Sequence, residues 1–198
     1  MRLALVSDIH GNLAALEAVM ADIAHRGVER VANLGDSLSG HLLPRETAQV
    51  LMAQDWIHLA GNHERQILEA GLCAERAGEA DRHARGQLSA PELAWLASLP
   101  SSILLDDGIL LCHGTPHSDC TALLERAERA APPDDIDARL GGATAALIAC
   151  GHSHVARSVR TRRGQLIVNP GSVGLPAYAD DHPYPHVIEA GSPDARYA

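Results

Sequence analysis

Short apolar runs alternate with amphipathic segments through the first third of the chain. Residues 3–6, 31–34 and 56–60 are apolar runs with the length of buried parallel strands, and a polar or glycine-containing segment follows each of them. Residues 13–25 carry apolar side chains at helical spacing, and Pro44 opens a second helix before the third run. This alternation of strand and helix predicts a parallel sheet covered by helices.

The rest of the chain mixes helical patterns with hairpins. Ser89 and Glu92 form a capping box ahead of an apolar helical pattern that Pro100 ends. In order along the chain, the pattern predicts a charged helix within 72–88, a helix over 89–99, a hairpin over 103–111, a helix around 121–130, a buried strand over 145–149, a hairpin over 155–168 and a last strand at 187–188. Two sets of strands with helices in both halves predict a two-sheet sandwich covered by helices.

Composition narrows the class of protein. The 198 residues fit one domain over 1–198, and the sparse apolar positions at about 191–198 predict a flexible tail. A formal net charge of −9, with every one of the 16 basic residues an arginine, argues against a nucleic-acid partner. No apolar stretch approaches the roughly 18 residues of a membrane helix. We therefore expect no contact with a membrane. The four cysteines form no Cys-x-x-Cys pair and do not suggest a disulfide framework, so we expect a cytoplasmic protein.

Polar clusters follow five of the apolar runs, and histidine is abundant in them. Because the carboxyl ends of parallel strands meet at one sheet edge, where ligands bind, we expect these clusters to lie together. Nitrogen and oxygen donors in one set indicate a transition metal. The clusters are Asp8-x-His10, Gly35-Asp36, Gly61-Asn62-His63-Glu64, His113-Gly114 and Gly151-His152-Ser153-His154.

The number of candidate ligands decides how many ions are expected. Seven side chains exceed the roughly four to six positions of one ion, whereas two ions sharing a carboxylate need about this many and leave room for water. Two ions roughly 3.5–4 Å apart can clamp the attacking and leaving oxygens of a displacement at phosphorus, with a bridging water deprotonated near neutral pH as the nucleophile. The seven are Asp8, His10, Asp36, Asn62, His113, His152 and His154.

In this combination and order, the five clusters resemble the motifs of the calcineurin-like metallophosphoesterases. The resemblance runs from Asp8 to the segment Asn169-Pro170-Gly171-Ser172, nearly the whole chain. The short length and that last segment are similar to the small single-domain phosphodiesterases of bacteria and archaea. The resemblance implies an α/β fold: a four-layered α/β/β/α sandwich of two mixed sheets flanked by helices.

The resemblance also implies roles for individual residues. Asp36 would bridge the two metals, and His63 would be the catalytic histidine that steadies the phosphate or protonates the leaving oxygen. Manganese is the first expectation for both ions, with iron, nickel or zinc as alternatives. The implied ligands are Asp8, His10, Asp36 and His154 for the first metal, and Asp36, Asn62, His113 and His152 for the second.

The chain departs from the pattern of the protein phosphatases in this superfamily. They carry an aspartate three positions after the bridging Asp, followed by an arginine. Ser39 and Gly40 stand at those positions here. We therefore do not expect a phosphoprotein substrate, and the acid that would orient His63 is missing at its expected place.

Other polar and aromatic positions are weaker candidates for contact with substrate. Arg65 could reach a phosphate oxygen, with a helix-surface position as the alternative. His41 lies in the loop after Asp36 and could touch substrate, with a solvated loop position as the alternative, and His117 could line the pocket mouth. Residues 176–186 are predicted to form a surface loop.

These observations predict a dinuclear-metal hydrolase of a small-molecule phosphate ester, a phosphodiesterase acting on nucleotide-like compounds. A dinucleoside polyphosphate hydrolase and a phosphomonoesterase are the alternatives on the same site. A scaffold protein on the same fold is the non-enzyme alternative, although it would not need seven costly polar groups at one edge. No feature requires an oligomer, and a homodimer stays open.

Overall fold

The computed structural model describes residues 2–73, 77–126, 129–180 and 185–198. In its first half, strands and helices alternate as predicted, and the three strands form a parallel sheet in the order β1-β2-β3. Three helices follow before the chain enters a second sheet. The elements are β1 (Leu3–Val6), α1 (Leu13–His25), β2 (Arg30–Asn33), α2 (Pro44–Met52), β3 (Ile57–His58), α3 (Asn62–Ala70), α4 (Glu79–Gln87) and α5 (Ala90–Ser98).

The second half forms a five-stranded mixed sheet in the order β4-β5-β8-β10-β9. Its inner pairs β5-β8 and β8-β10 are parallel, and its edge strands pair antiparallel, so both predicted hairpins are confirmed. Two further strand pairs, β6-β7 and β11-β12, are antiparallel. The elements are β4 (Ser102–Leu104), β5 (Ile109–Cys112), β6 (Glu125–Arg126), β7 (Arg129–Ala130), α6 (Pro133–Leu140), β8 (Leu147–Ala149), β9 (Arg157–Arg160), β10 (Leu166–Asn169), β11 (Ala177–Asp180) and β12 (His186–Glu189).

Three apolar clusters define four layers. The central cluster joins the facing sides of the two sheets, with Leu5 and Leu34 from the first sheet and Leu111 from the second. A second cluster packs helices α1 to α5 onto the outer face of the first sheet. The third packs Ile136 and Leu140 of α6 onto the other face of the second sheet. The predicted α/β/β/α sandwich is therefore confirmed, although all described pairs of the first sheet are parallel and only the second sheet is mixed.

The helix predicted around 121–130 is wrong. Residues on both sides of 127–128 pair antiparallel as β6 and β7, and the helix of this region begins at Pro133. Leu123 and Leu124 are buried against the second sheet, so tertiary packing rather than a helical face accounts for their apolar character. Proline at the first helical position explains why α6 starts where it does.

The last residues, for which the composition predicts a flexible tail, contact the first sheet. Ala198 exchanges two backbone hydrogen bonds with Leu5, at 2.7 and 3.1 Å. Tyr197 packs against the core, and its hydroxyl donates to the carboxylate of Asp22. The chain end thus covers the free edge of β1, whose unpaired backbone groups otherwise require water. None of the helices in the described part of the chain has the length and apolar character that a bilayer span requires.

Candidate metal centre

The polar clusters predicted from the sequence meet at the carboxyl ends of the strands in both sheets. Six side chains fall into two groups of three, and within each group the candidate ligand atoms lie within 4.8 Å of one another. The groups are Asp8, His10 and His154, and Asp36, His113 and His152. The fold therefore brings together residues separated by up to 146 positions along the chain.

The first group surrounds an unsatisfied carboxylate. His154 Nε2 lies 3.2 Å from His10 Nε2 and 3.4 Å from Asp8 Oδ1. Both carboxylate oxygens of Asp8 are buried and have no hydrogen-bond partner among the described residues. A buried carboxylate without partners is costly, and a metal ion is the partner that two imidazole nitrogens and a carboxylate fit.

The second group is built around Asp36. Its Oδ2 lies 3.0 Å from His113 Nε2, and the Oδ1 atom of Asn62 lies 3.2 Å from the same nitrogen. The rings of His113 and His152 lie edge to face, with their centroids 5.2 Å apart. Asn62 therefore points its oxygen toward the second group, and all seven candidate ligands lie at one site.

Backbone carbonyls set the orientation of all four candidate histidine ligands. Because a carbonyl oxygen only accepts hydrogen bonds, the ring nitrogen facing it carries a proton, and the other nitrogen is the one that can offer a lone pair to a metal ion. Metal-ligating histidines usually have such a partner. The four bonds are His10 Nδ1 to Ser39 O (2.7 Å), His113 Nδ1 to Leu34 O (2.9 Å), His154 Nδ1 to Leu175 O (2.6 Å) and His152 Nε2 to Cys120 O (3.1 Å).

Backbone strain is concentrated at the site. Among described residues other than glycine, positive φ angles occur only at five of the candidate ligands. Side chains with a Cβ adopt this left-handed region at a cost, and such strain is stored mainly at functional sites. The five are Asp8 (57°), His10 (51°), Asp36 (54°), His152 (67°) and His154 (57°).

Glu64 fixes the two loops that carry Asp36 and Asn62. Its carboxylate is buried and accepts hydrogen bonds from the backbone N–H groups of Asp36 (2.8 Å), Ser37 (2.7 Å) and Gly61 (2.7 Å). Glu64 lies in the first turn of α3, and its tie to the loop after β2 is a tertiary contact that the sequence pattern did not indicate.

His63 lies beside both groups and has an acidic partner. Its Nδ1 atom lies 2.8 Å from Asp81 Oδ1, and its backbone N–H donates to Asp36 Oδ1 at 2.9 Å. Asp81 belongs to α4 and is buried. The sequence reasoning missed Asp81, because an acid in a charged helix carries no signal of burial.

A cavity of about 490 Å³ opens onto the two groups. His63 and four of the candidate ligands, His10, Asp36, His152 and His154, line it. Leu42, Leu175 and Tyr178 also line it, and the Tyr178 ring lies 4.7 Å from the ring of His154. The cavity has the size of a small-molecule site.

Comparison with known proteins decides the family. The model of the calcineurin-like phosphoesterase superfamily domain matches residues 1–188. The chain belongs to this superfamily. It is accordingly a phosphoester hydrolase, and its superfamily uses divalent metals, which the two groups of side chains fit.

Relatives of this calcineurin-like phosphoesterase come from bacteria and archaea. The uncharacterized protein MJ0912 of Methanocaldococcus jannaschii is 27% identical over 198 residues, covering 88% of this chain and 76% of that protein. A metallophosphoesterase structure from Sphaerobacter thermophilus has a TM-score of 0.70 at 25% identity, covering 90% of this chain and 82% of that one. Protein PH1004 of Pyrococcus horikoshii OT3 shares the fold, with a TM-score of 0.73 at 16% identity over 99% and 86% of the two chains.

Burial and neighbouring charges shift the ionisation of the phosphoesterase site. Burial, together with the ring of His154, lowers the pKa of His10 to about 3, and burial with the nearby His113 lowers the pKa of His152 to about 4. Burial alone would raise the pKa of Asp36, but His113 and His63 hold it well below its usual value. Burial opposes the charge on His63, yet Asp36 and Asp81 raise its pKa to about 9.

The weaker candidates of the phosphoesterase site are placed differently. His41 lines the cavity and is exposed, with its Nε2 atom 4.0 Å from Glu79. Arg65 lies outside the cavity lining, and its guanidinium binds the carboxylate of Asp119 at 2.9 and 3.1 Å. His117 is exposed and lies beside Gly141, away from the cavity lining.

The segment predicted as a surface loop forms part of the phosphoesterase cavity instead. Residues 177–180 and 186–189 pair as β11 and β12, and Tyr178 of β11 lines the cavity. His182 and Tyr184, in the same predicted loop, lie outside the described residues. A tyrosine on a strand next to the candidate ligand His154 has the stacking surface that a flat substrate group can use.

Proposed function

We propose that residues 1–198 form a single-domain, dinuclear-metal phosphodiesterase that hydrolyses small nucleotide-like phosphodiesters. The observation that carries the proposal is the pair of three-residue groups, Asp8, His10 and His154 beside Asp36, His113 and His152, at the carboxyl ends of the strands and next to one cavity. Two ions next to each other are the arrangement that in-line displacement at phosphorus uses.

The donor set fits two divalent ions. Asp36 would be shared between them, as the resemblance to the superfamily implies, and its Oδ2 atom lies 3.0 Å from His113 Nε2 of the second group. Mixed imidazole, amide and carboxylate donors suit manganese, with iron, nickel or zinc as alternatives. The proposed ligands are Asp8, His10, Asp36 and His154 for one ion, and Asp36, Asn62, His113 and His152 for the other. When bound, the ions would supply Lewis acidity toward the phosphate and activate water as the nucleophile.

The chain's own residues position the substrate. The backbone carbonyls that hold the histidine rings keep the ligand geometry rigid, so a phosphate entering the cavity meets a preorganised site. His63 faces the same cavity with a ring nitrogen that can donate to a phosphate oxygen or to the leaving oxygen.

The cavity wall supports a diester with one phosphate group. Leu42, Leu175 and Tyr178 offer an apolar surface to the second ester group of a diester, which a phosphomonoester lacks. Among the described residues that line the cavity there is no arginine, and the chain has no lysine. Additional phosphates of a dinucleoside polyphosphate would therefore stay unpaired next to Asp36, which disfavours that alternative.

The non-enzyme alternative is a scaffold protein on the same fold. Such a protein would have no use for five strained residues and a buried, unsatisfied Asp8, all of which cost stability.

The four cysteines are unpaired, which fits the reducing cytoplasm that we propose as the location.

The test is hydrolysis of bis(p-nitrophenyl) phosphate, p-nitrophenyl phosphate and diadenosine tetraphosphate by protein that is first stripped of metal and then reloaded with manganese. We expect metal-restored cleavage with preference for the diester, and two bound ions per chain by elemental analysis. Asp36→Asn and His152→Ala should abolish turnover and lower the number of bound ions.

Asp55→Asn and His25→Ala are matched controls, because both side chains are exposed and lie outside the cavity lining. They should keep wild-type turnover and metal content. A single bound ion with full activity would remove the dinuclear model, whereas a preference for the monoester would keep the site and change the substrate class. Two bound ions without turnover of any of the three compounds would favour the scaffold alternative.

A further inference from the structure

The acid expected next to the catalytic histidine is absent from its usual loop. Ser39 and Gly40 follow Asp36 where protein phosphatases of the superfamily carry an aspartate and an arginine. Ser39 carries a hydroxyl and Gly40 has no side chain, so these two positions offer His63 no carboxylate. A histidine that transfers protons nevertheless needs a partner that fixes its ring and its tautomer.

A different helix supplies a carboxylate at this place. Asp81 Oδ1 lies 2.8 Å from His63 Nδ1, and the side chain of Asp81 is 5% exposed. Asp81 is on the face of α4 that also buries Ala84 and Leu88 in the core, at the helical spacing i, i+3 and i+7. Because α3 and α4 pack against each other, the apolar packing of α4 determines where this carboxylate lies.

The contact leaves one nitrogen of His63 for the substrate. Nδ1 faces Asp81, so Nε2 is the nitrogen available to the cavity that the ring lines. The backbone N–H of His63 is held by Asp36 at 2.9 Å, which ties the main chain of the residue to the metal centre. Asp36 thus holds the backbone of His63, and Asp81 holds its ring at Nδ1.

We propose that Asp81 is a positioning residue that orients His63 for proton transfer to the leaving group, which rests on the proposed phosphodiesterase function. The P–O bond to the leaving group breaks, its electron pair stays on the leaving oxygen, and the proton on His63 Nε2 moves to that oxygen. Water supplies the oxygen that joins phosphorus, and one of its protons returns to the imidazole through solvent. Asp81 keeps its own charge throughout and holds the ring in place.

The leaving group provides the test. p-Nitrophenol leaves readily without a proton, whereas phenol needs one, so the loss in Asp81→Asn should depend on the substrate. With the metal-loaded full chain we expect kcat for diphenyl phosphate to fall about 10–100-fold with an unchanged KM. For bis(p-nitrophenyl) phosphate we expect kcat to fall less than about threefold. In the His63→Ala background, Asp81→Asn should cause no further loss.

A purely structural role of Asp81 predicts a different result. Asp81 lies in the first turn of α4, so its loss could simply destabilise the helix. In that case both substrates would lose activity equally, and the effect would persist in the His63→Ala background. Glu92→Gln is the matched control, because Glu92 is another buried carboxylate in a first helical turn, outside the cavity lining. It should lower stability without leaving-group dependence.

Two further measurements keep the outcome clear. In zinc-loaded protein labelled with 15N-histidine, Asp81→Asn should shift the ring nitrogen signals of His63, identified by their absence in His63→Ala; unchanged signals would overturn the proposal. If Asp81→Asn does not fold, Asp81→Glu should show the same selective loss on diphenyl phosphate, and an equal loss on both diesters would overturn it. If the wild-type protein cleaves neither diester, the proposed function is wrong. If the wild-type protein is active and the variant loses activity equally on both diesters, only the proposed role of Asp81 is wrong.

Discussion

A methyl group added at Gly61 should disable the metal centre. Gly61 precedes α3 with φ −92° and ψ −169°, an extended conformation that alanine adopts freely, so Gly61→Ala carries no backbone penalty. The conflict is steric. A Cβ at this position would lie 2.8 Å from the backbone nitrogen of Asp36 and 2.9 Å from His113 Cε1, and it would overlap the Oδ1 atom of Asp36.

The size of the effect follows from what holds Asp36. Ordinary van der Waals contact begins near 3.4 Å, so the carboxylate and α3 must separate by roughly 1 Å. Asp36 cannot simply rotate away, since its backbone nitrogen is one of the contacts. The shift strains the contacts of Asp36 with His63 N–H (2.9 Å) and His113 Nε2 (3.0 Å). Overpacking of this kind costs about 1–3 kcal/mol. A misplacement of about 1 Å in a reacting site costs about 10²-fold in rate.

The assay combines three measurements on purified Gly61→Ala. We expect kcat/KM for bis(p-nitrophenyl) phosphate to fall about 100-fold and the thermal midpoint to fall about 2–12 °C. We also expect metal affinity, measured by calorimetric titration, to fall about 10–100-fold. Gly86→Ala is the matched control: it lies in α4 with no atom within 4 Å of the added Cβ, and it should gain about 0.5–1 kcal/mol of stability with full activity. Wild-type activity and metal affinity in Gly61→Ala would refute the close approach of this backbone to Asp36.

Three further predictions concern groups around the centre. Glu64→Gln places an amide NH₂ against backbone N–H donors and should cost about 1–3 kcal/mol in urea unfolding; an unchanged midpoint would mean that the three N–H groups find other acceptors. Deletion of residues 195–198 removes the hydrogen bonds of Ala198 with Leu5 and the packing of Tyr197, so it should lower the free energy of unfolding by about 1–3 kcal/mol with kcat unchanged. A truncated chain of equal stability would show that these residues do not dock on β1. Arg65→Ala should change kcat/KM less than about threefold because Asp119 holds the guanidinium; a tenfold or larger loss would show that Arg65 reaches the phosphate.

Local sequence pattern was sufficient for most of the fold. The strands of the first sheet and helices α1, α2 and α5 were predicted because their apolar spacing and caps are properties of neighbouring residues. The candidate ligands were found for a related reason. Each follows an apolar run, and parallel strands bring such positions to one edge whatever the details of packing. Resemblance to the family then indicated which of these residues share an ion.

Tertiary contacts determine the structural features that the hydrophobic pattern of the sequence did not predict. Leu123 and Leu124 resemble a helical segment in the sequence, yet the second sheet buries them beside a strand pair. The chain end has a polar composition, but the open edge of β1 supplies backbone partners that composition does not reveal.

The environment of His63 shows most clearly what the local sequence determines and what tertiary contacts determine. The sequence placed His63 after Asn62 at the end of a strand, and therefore at the site, because that order is local. Its partner Asp81 lies 18 positions further on, in a helix whose charged pattern is the same for a solvated and a buried acid. Only the packing of α4 on α3 turns this carboxylate inward. A periodic pattern records which face of an element is apolar, whereas a single buried ion pair depends on where two elements meet in space.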